Sequence, residues 1–205
     1  MNVWKKCAAV ALCWGLAWPA LAQNILLVGD SISAAFGLEI EQGWVKLLEQ
    51  RLAEENQPYT VVNASVSGDT TAGGLARLPA LLTEVEPALV VIELGGNDGL
   101  RALPVANMQQ NLSAMVQLAQ EADADVILLG MRIPPNYGPR YSDAFEQAFS
   151  TVAEEHEVAL IPFLLEGVGG VEGKMQEDGV HPTAAAQTVL LDNAWPAISQ
   201  WLESR

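Results

Sequence analysis

Ile25-Leu26-Leu27-Val28-Gly29-Asp30-Ser31-Ile32-Ser33 begins with four large apolar residues in succession and ends in a small, polar turn. An unbroken apolar run of this length suits a strand covered on both faces, as in a parallel sheet between helices. The glycine and the polar pair that follow mark the strand's carboxyl end, where open α/β sheets gather their sites. Ser31 thus stands at a strand exit. Two further exits read the same way. Residues 88–94 hold the continuous run Leu89-Val90-Val91-Ile92 and lead into Gly95-Gly96-Asn97-Asp98. Residues 59–64 form another strand, with Ser67-Gly68-Asp69 just beyond it.

Between these strands the apolar period changes. Trp44, Leu47, Leu48 and Leu52 recur at helical spacing and predict a helix over 44–55. A short helix is predicted over 75–82, with Pro79 marking an irregularity. Longer helices are predicted over 105–122 and 142–155, with short strands at 125–129 and 158–161. Thr183 is placed as the cap of a final helix reaching about residue 202. Strand and helix alternate throughout, which predicts an α/β fold with a parallel sheet covered on both faces. The chain shows no repeats, low-complexity segments or linkers. Its length suits one sizeable core, so residues 23–205 are expected to form a single domain.

The first 22 residues read differently. Lys5 and Lys6 precede an apolar run from Cys7 to Trp18, and Pro19-Ala20-Leu21-Ala22 presents small residues where a signal peptidase cuts. This pattern predicts a cleaved export signal and a periplasmic or secreted protein. The run is short for a membrane span. Cleavage after Ala22 removes both cysteines, leaving no thiol and no disulfide. It also removes two lysines and no acidic residue, so the formal charge moves from −15 to about −17. A chain this acidic is a poor partner for nucleic acid or an anionic membrane. Solubility is the simpler reading of the charge. Arg77 and Arg101 flank the site loops and are the first candidates for any local basic docking patch.

The chemistry is suggested by Asp178-Gly179-Val180-His181, near the far end of the chain. With Ser31 it supplies an acid, a base and a hydroxyl, and a serine needs both partners to become a useful nucleophile at neutral pH. The glycine-rich exits around Gly68 and Asn97 are candidate suppliers of oxyanion donors. Each motif alone also reads as a turn or a helix cap. Their convergence on one end of one sheet favours a serine hydrolase. The chain has two histidines. His156 lies in Glu154-Glu155-His156-Glu157 and is assigned to a helix surface. The absence of His-Glu-x-x-His speaks against a zinc hydrolase, and no cofactor is called for. Gly29-Asp30-Ser31-Ile32-Ser33 lacks the last glycine of a Gly-x-Ser-x-Gly elbow, which speaks against the ordinary α/β-hydrolase fold.

In chain order, Gly29-Asp30-Ser31, Gly68, Asn97 and His181 match the four blocks of the SGNH hydrolases, also called GDSL esterases and lipases. Val62 to Thr70, Gly74 to Leu82 and Glu93 to Arg101 resemble the bacterial periplasmic thioesterase I subgroup, also described as lysophospholipases and arylesterases. The resemblance covers the whole mature chain. It implies a three-layer α/β/α, flavodoxin-like fold with a five-stranded parallel sheet. It implies Ser31 as nucleophile, His181 as base and Asp178 as its orienting acid. Oxyanion donors would be the backbone N–H groups of Ser31 and Gly68 and the side-chain amide of Asn97. The implied substrate is a small acyl ester or thioester; no metal, nucleic acid or stable membrane insertion is expected from the composition and motifs above, and the chain is expected to act as a monomer. Phe36-Gly37 and the glycine-rich stretch from Gly167 to Gly173 depart from the subgroup and bear on acyl-chain length; the glycine stretch reads as a mobile surface loop. A carbohydrate O-deacetylase is the alternative enzyme. A flavodoxin-like binding module is the alternative outside enzymes, weakened by the lack of Gly-x-Gly-x-x-Gly.

Overall fold

A computed structural model describes residues 23–205; the expected export signal and both cysteines lie outside the described residues. Five strands, β1 (Gln23–Gly29), β2 (Tyr59–Asn63), β3 (Pro87–Glu93), β4 (Asp125–Leu129) and β5 (Ala159–Ile161), form one sheet. All neighbours pair in parallel, in the order β2-β1-β3-β4-β5. The central strands are the two apolar runs read from the sequence, and Ile25 to Val28 and Leu89 to Ile92 are all buried.

Helices α1 (Trp44–Glu54) and α6 (Gln187–Glu203) pack together over β2, β4 and β5. Helices α2 (Thr71–Val85), α4 (Val105–Glu121) and α5 (Pro139–His156) form a second layer against β1, β4 and β5. The helical spacing has its purpose here. Trp44, Leu48 and Leu52 of α1 face the sheet, as do Met108, Leu112, Met115 and Ala119 of α4. Phe145 and Phe149 of α5 meet edge to face, with centroids 5.5 Å apart. Full burial of such a side chain contributes about 1.5–3 kcal/mol, so these stripes hold the layers together without disulfides. No helix among the described residues is long and apolar enough to cross a membrane.

Some elements differ from the sequence reading. Helix α2 is longer at both ends than 75–82. The Thr70 side chain caps it by accepting the Gly73 N–H, and Gly74 sits in the interior because a Cβ there would overlap buried Leu94. Pro79 lies inside this helix, where it leaves the Leu75 carbonyl without its usual donor. Burial of Leu78 and Leu82 offsets that loss. A five-residue helix, α3 (Gly96–Leu100), follows β3 where the sequence reading saw a turn motif. Thr183 does not cap the last helix. Its hydroxyl donates instead to the Gly173 carbonyl at 3.2 Å, and a short 3-10 turn, Ala184–Ala186, leads into α6.

The strand order sets the site. The chain runs from β1 outward to β2, then returns across β1 to β3. Connections after β1 and β3 therefore leave in opposite directions and open a crevice at their carboxyl ends.

Candidate active site

The turn after β1 carries Ser31 into that crevice. Asp30 Oδ1 accepts the Ile32 N–H at 3.0 Å, and the Ser31 carbonyl accepts the Phe36 N–H at 3.0 Å. Such bonds bend the chain tightly without glycine at the serine itself. The turn is anchored from beneath. Ser33 Oγ donates to Glu93 Oε2 at 2.7 Å and receives the Trp44 indole N–H at 3.2 Å. Ser31 is buried within the crevice.

Asp178 and His181 share the loop before Ala184. Asp178 Oδ1 accepts the N–H groups of Val180 and His181 at 2.9 and 3.0 Å, and Oδ2 lies 2.6 Å from His181 Nδ1. These bonds, led by the His181 backbone N–H, pull the Asp178 carboxyl down to about 2. An ionised carboxylate can only accept, so Nδ1 carries the proton and Nε2 is left as an acceptor. Nε2 lies 2.8 Å from Ser31 Oγ. Three residues of separation thus suffice for acid and base to meet. The ring is also held from outside. Phe36 lies over His181 with centroids 4.4 Å apart, and Gln176 Nε2 donates to the carbonyls of both Phe36 and Pro182.

The two glycine-rich exits close on the same point. Gly68 has φ +80°, a conformation that side chains rarely adopt, so the β2 exit can turn its peptide toward the crevice. Asn97, on the first turn of α3, donates through Nδ2 to Asp30 Oδ2 at 2.9 Å and keeps its second amide hydrogen. Among the described residues, the backbone N–H groups of Ser31 and Gly68 have no backbone acceptor. All five residues singled out from the sequence are therefore brought to one end of the sheet.

Beside Ser31 opens a cavity of about 470 Å³. Ile32, Leu100, Ile133, Phe163, Met175 and Val180 make its walls predominantly apolar, and Gly169 and Gly170 form part of its border. The glycine-rich stretch is thus a cavity wall rather than only a surface loop. Gly96 and Gly179 place its mouth next to Asn97 and Asp178.

Other charged and titratable groups depart from the sequence expectation or carry no signal in it. His156 is half-buried rather than on the surface, with Nε2 2.6 Å from Ser113 Oγ. It ends α5 just before β5 begins, at the end of the sheet opposite the crevice. Arg77 does not offer a docking cation. Its Nε donates to Asp69 Oδ2 at 2.8 Å, Nη2 to the Gly29 carbonyl at 3.3 Å, and Nη1 to the Ala64 carbonyl. Arg101 is exposed at the rim. Glu93 is wholly buried under the Ser31 turn; burial, then the Asp30 carboxyl nearby, pushes its own carboxyl well above the usual range. Burial likewise pushes Asp30 up to about 6, against the lowering effect of its bonds to Ile32 and Asn97. The only hint of this pair in the sequence is an acid closing a strand of apolar residues.

The fold has counterparts of known sequence and structure. The chain is 60% identical to Esterase TesA of Pseudomonas aeruginosa over 196 residues, 96% of each protein. It is 42% identical over 173 residues to Thioesterase 1/protease 1/lysophospholipase L1 of Escherichia coli (strain K12), covering 84% of this chain and 82% of that protein. The crystal structure of TesA superposes with a TM-score of 0.85 at 62% identity, covering 86% of this chain and 98% of that one. Residues 27–189, from within β1 to within α6, match the GDSL-like lipase/acylhydrolase family. A match that spans the sheet and every loop at the crevice, together with relatives this similar over most of their length, means that the chain belongs to the GDSL-like lipase/acylhydrolase family.

Proposed function

We propose that the protein is a serine esterase and thioesterase that cleaves small acyl substrates through Ser31, His181 and Asp178. The observation that carries this reading is the continuous hydrogen-bonded line from Ser31 Oγ through both ring nitrogens of His181 to Asp178, at 2.8 and 2.6 Å. Ser31 Oγ attacks the acyl carbon while its proton passes to His181 Nε2. Asp178 keeps Nδ1 protonated and stabilises the imidazolium. Oxyanion charge falls on the N–H groups of Ser31 and Gly68 and on the free amide hydrogen of Asn97. His181 then protonates the departing alkoxide or thiolate, and an acyl-enzyme remains on Ser31. Water, deprotonated by His181, releases the acid.

The names of the relatives support esters and thioesters as the substrate class. The apolar cavity beside Ser31 supports an acyl chain longer than acetyl, which disfavours a carbohydrate O-deacetylase. We further read residues 1–22 as a cleaved export signal, residues 23–205 as one catalytic domain acting as a monomer, and the periplasm or exterior as its place of action.

An alkylphosphonate ester with a good leaving group tests the mechanism. It should add one phosphonyl group to the peptide containing Ser31, visible by mass spectrometry, and abolish hydrolysis of a chromogenic short-chain ester. Labelling on another residue with loss of activity would refute the assignment. An exported product whose first residue is other than Gln23 would refute the cleavage site.

A further inference from the structure

Helix α3 reaches across the crevice to the β2 exit at two points. On its buried side, Asp98 accepts the Thr71 N–H at 2.9 Å through Oδ2 and the Thr71 hydroxyl at 2.6 Å through Oδ1. Asn111 of α4 donates to that same hydroxyl at 3.0 Å, which fixes the direction in which Thr71 donates. Asp98 is 3% exposed, so its two bonds compete little with water. On the exposed side, Arg101 at the end of α3 donates through Nη2 to the Gly68 carbonyl at 2.8 Å. The peptide after Gly68 is also fixed by the Asp69 N–H, which donates to the Val66 carbonyl at 3.0 Å.

Asn97 adjoins Asp98 in the chain, and Gly68 lies three residues before Thr71. The two bonded points therefore bracket the two proposed oxyanion donors, which come from different strand exits with no covalent link shorter than α2 and β3. A donor helps only if it lies about 2.7–3.1 Å from where the charge develops. A slip of about 1 Å between two donors is costly in rate. The Arg101 bond and the Asp69 N–H bond together hold the Gly68–Asp69 peptide, and with φ +80° at Gly68 that fixed peptide sets the direction of the preceding one, which carries the Gly68 N–H.

We propose that α3 is a two-point clamp in which Asp98 and Arg101 are positioning residues that set the gap between the Gly68 N–H and the Asn97 amide. The proposal rests on the oxyanion reading of those two donors. Neither Asp98 nor Arg101 meets the substrate. Both act through the groups they hold.

Steady-state kinetics on a short-chain chromogenic ester test the clamp. Arg101→Ala, at an exposed position where folding is secure, should lower kcat about tenfold with KM within about twofold. Arg101→Lys, which can still donate to the Gly68 carbonyl, should recover part of the loss. Asp98→Asn leaves one acceptor oxygen for the two Thr71 donors and should lower kcat by a similar or larger factor; Thr71→Val should do so more mildly. The decisive comparison uses Asn97→Ala. In that background the further effect of Arg101→Ala should shrink to about threefold or less, because one side of the gap is already gone. An equal factor in both backgrounds, a change confined to KM, or no effect of Arg101→Ala would overturn the clamp while leaving the oxyanion reading intact. An Asn97→Ala enzyme with unchanged kcat would overturn the oxyanion reading and the clamp with it.

Discussion

Single residues at the crevice divide into those whose role depends on residue type and those whose role depends on geometry. Ser31, Gly68, Asn97, Asp178 and His181 were legible in the sequence because each is a polar or glycine residue where a buried strand ends or the last loop turns. Phe36 over His181, Glu93 under the Ser31 turn and Asp98 against Thr71 were not, because no local motif marks these pairings and only tertiary packing brings them together. On the proposed mechanism, Ser31→Ala and His181→Ala should each lower kcat by about 10⁴-fold or more in folded protein. Retention of a tenth of the wild-type rate by Ser31→Ala would sink it. Asn97→Ala should lower kcat by about 10²–10³-fold with KM little changed. Rate should rise with pH as the base is deprotonated, and His156→Gln should not move that profile, because His156 bonds to Ser113 at the opposite end of the sheet. Asp178, held down to about 2, should add no limb to the profile above pH 3.

Asp30 links folding stability to pH. Its carboxyl is pushed from 3.8 to about 6, chiefly by burial, with Glu93, Asp69 and His181 as the charged or titratable groups around it. Between those values the folded state holds more protons than the unfolded state, so stability falls as pH rises. Asp30→Asn removes this dependence. Relative to that variant, the wild-type melting temperature should drop by roughly 5 °C between pH 4 and pH 6, fall slightly further, and level off only above about pH 7. A wild-type temperature that climbs relative to the variant over the same interval would show that Asp30 is stabilised as its carboxylate.

Among the elements, legibility followed periodicity. The two central strands and helices α1 and α4 were found because an unbroken apolar run or a three-to-four spacing leaves little choice. Helix α2 was underestimated because Gly73, Gly74 and Pro79 each lower helix propensity. Its extent is decided by tertiary packing, which propensity does not contain. Gly74→Ala separates the two influences. Propensity alone favours alanine by about 1 kcal/mol. Packing opposes it, since the new Cβ would overlap Leu94, which is fully buried, and approach Met115 Sδ at 3.3 Å. Overpacking of a tight core costs about 1–3 kcal/mol. The denaturation midpoint should therefore fall, and a rise would mean that Leu94 can move aside. Helix α3 was missed for a different reason. Five residues are too few to show a period, and its hold comes from Asp98 and Arg101 reaching other elements.

For the whole molecule the governing quantity is charge. The chain carries −15, and about −17 if the proposed signal is removed. The cations near the crevice do little to reverse this. Arg77 is taken by Asp69 and backbone carbonyls, and Arg132 at the cavity pairs with Glu146 and Glu166 at 3.0 and 3.4 Å. A substrate bearing several phosphates, such as an acyl-coenzyme A, should therefore be repelled on approach, whereas a neutral ester of the same acyl chain should not. Repulsion between exposed charges weakens as salt shortens the Debye length, from about 30 Å at 0.01 M to about 8 Å at 0.15 M. Accordingly, kcat/KM for the acyl-coenzyme A should increase over that range while kcat/KM for the neutral ester stays nearly flat. Both substrates use the same Ser31 and His181, so any effect of salt on the site itself cancels in the comparison. Equal responses would remove the charge argument. A fall for the thioester alone would reverse it and single out Arg101, exposed at the rim beside Gly68, as a contact for the leaving group's phosphates.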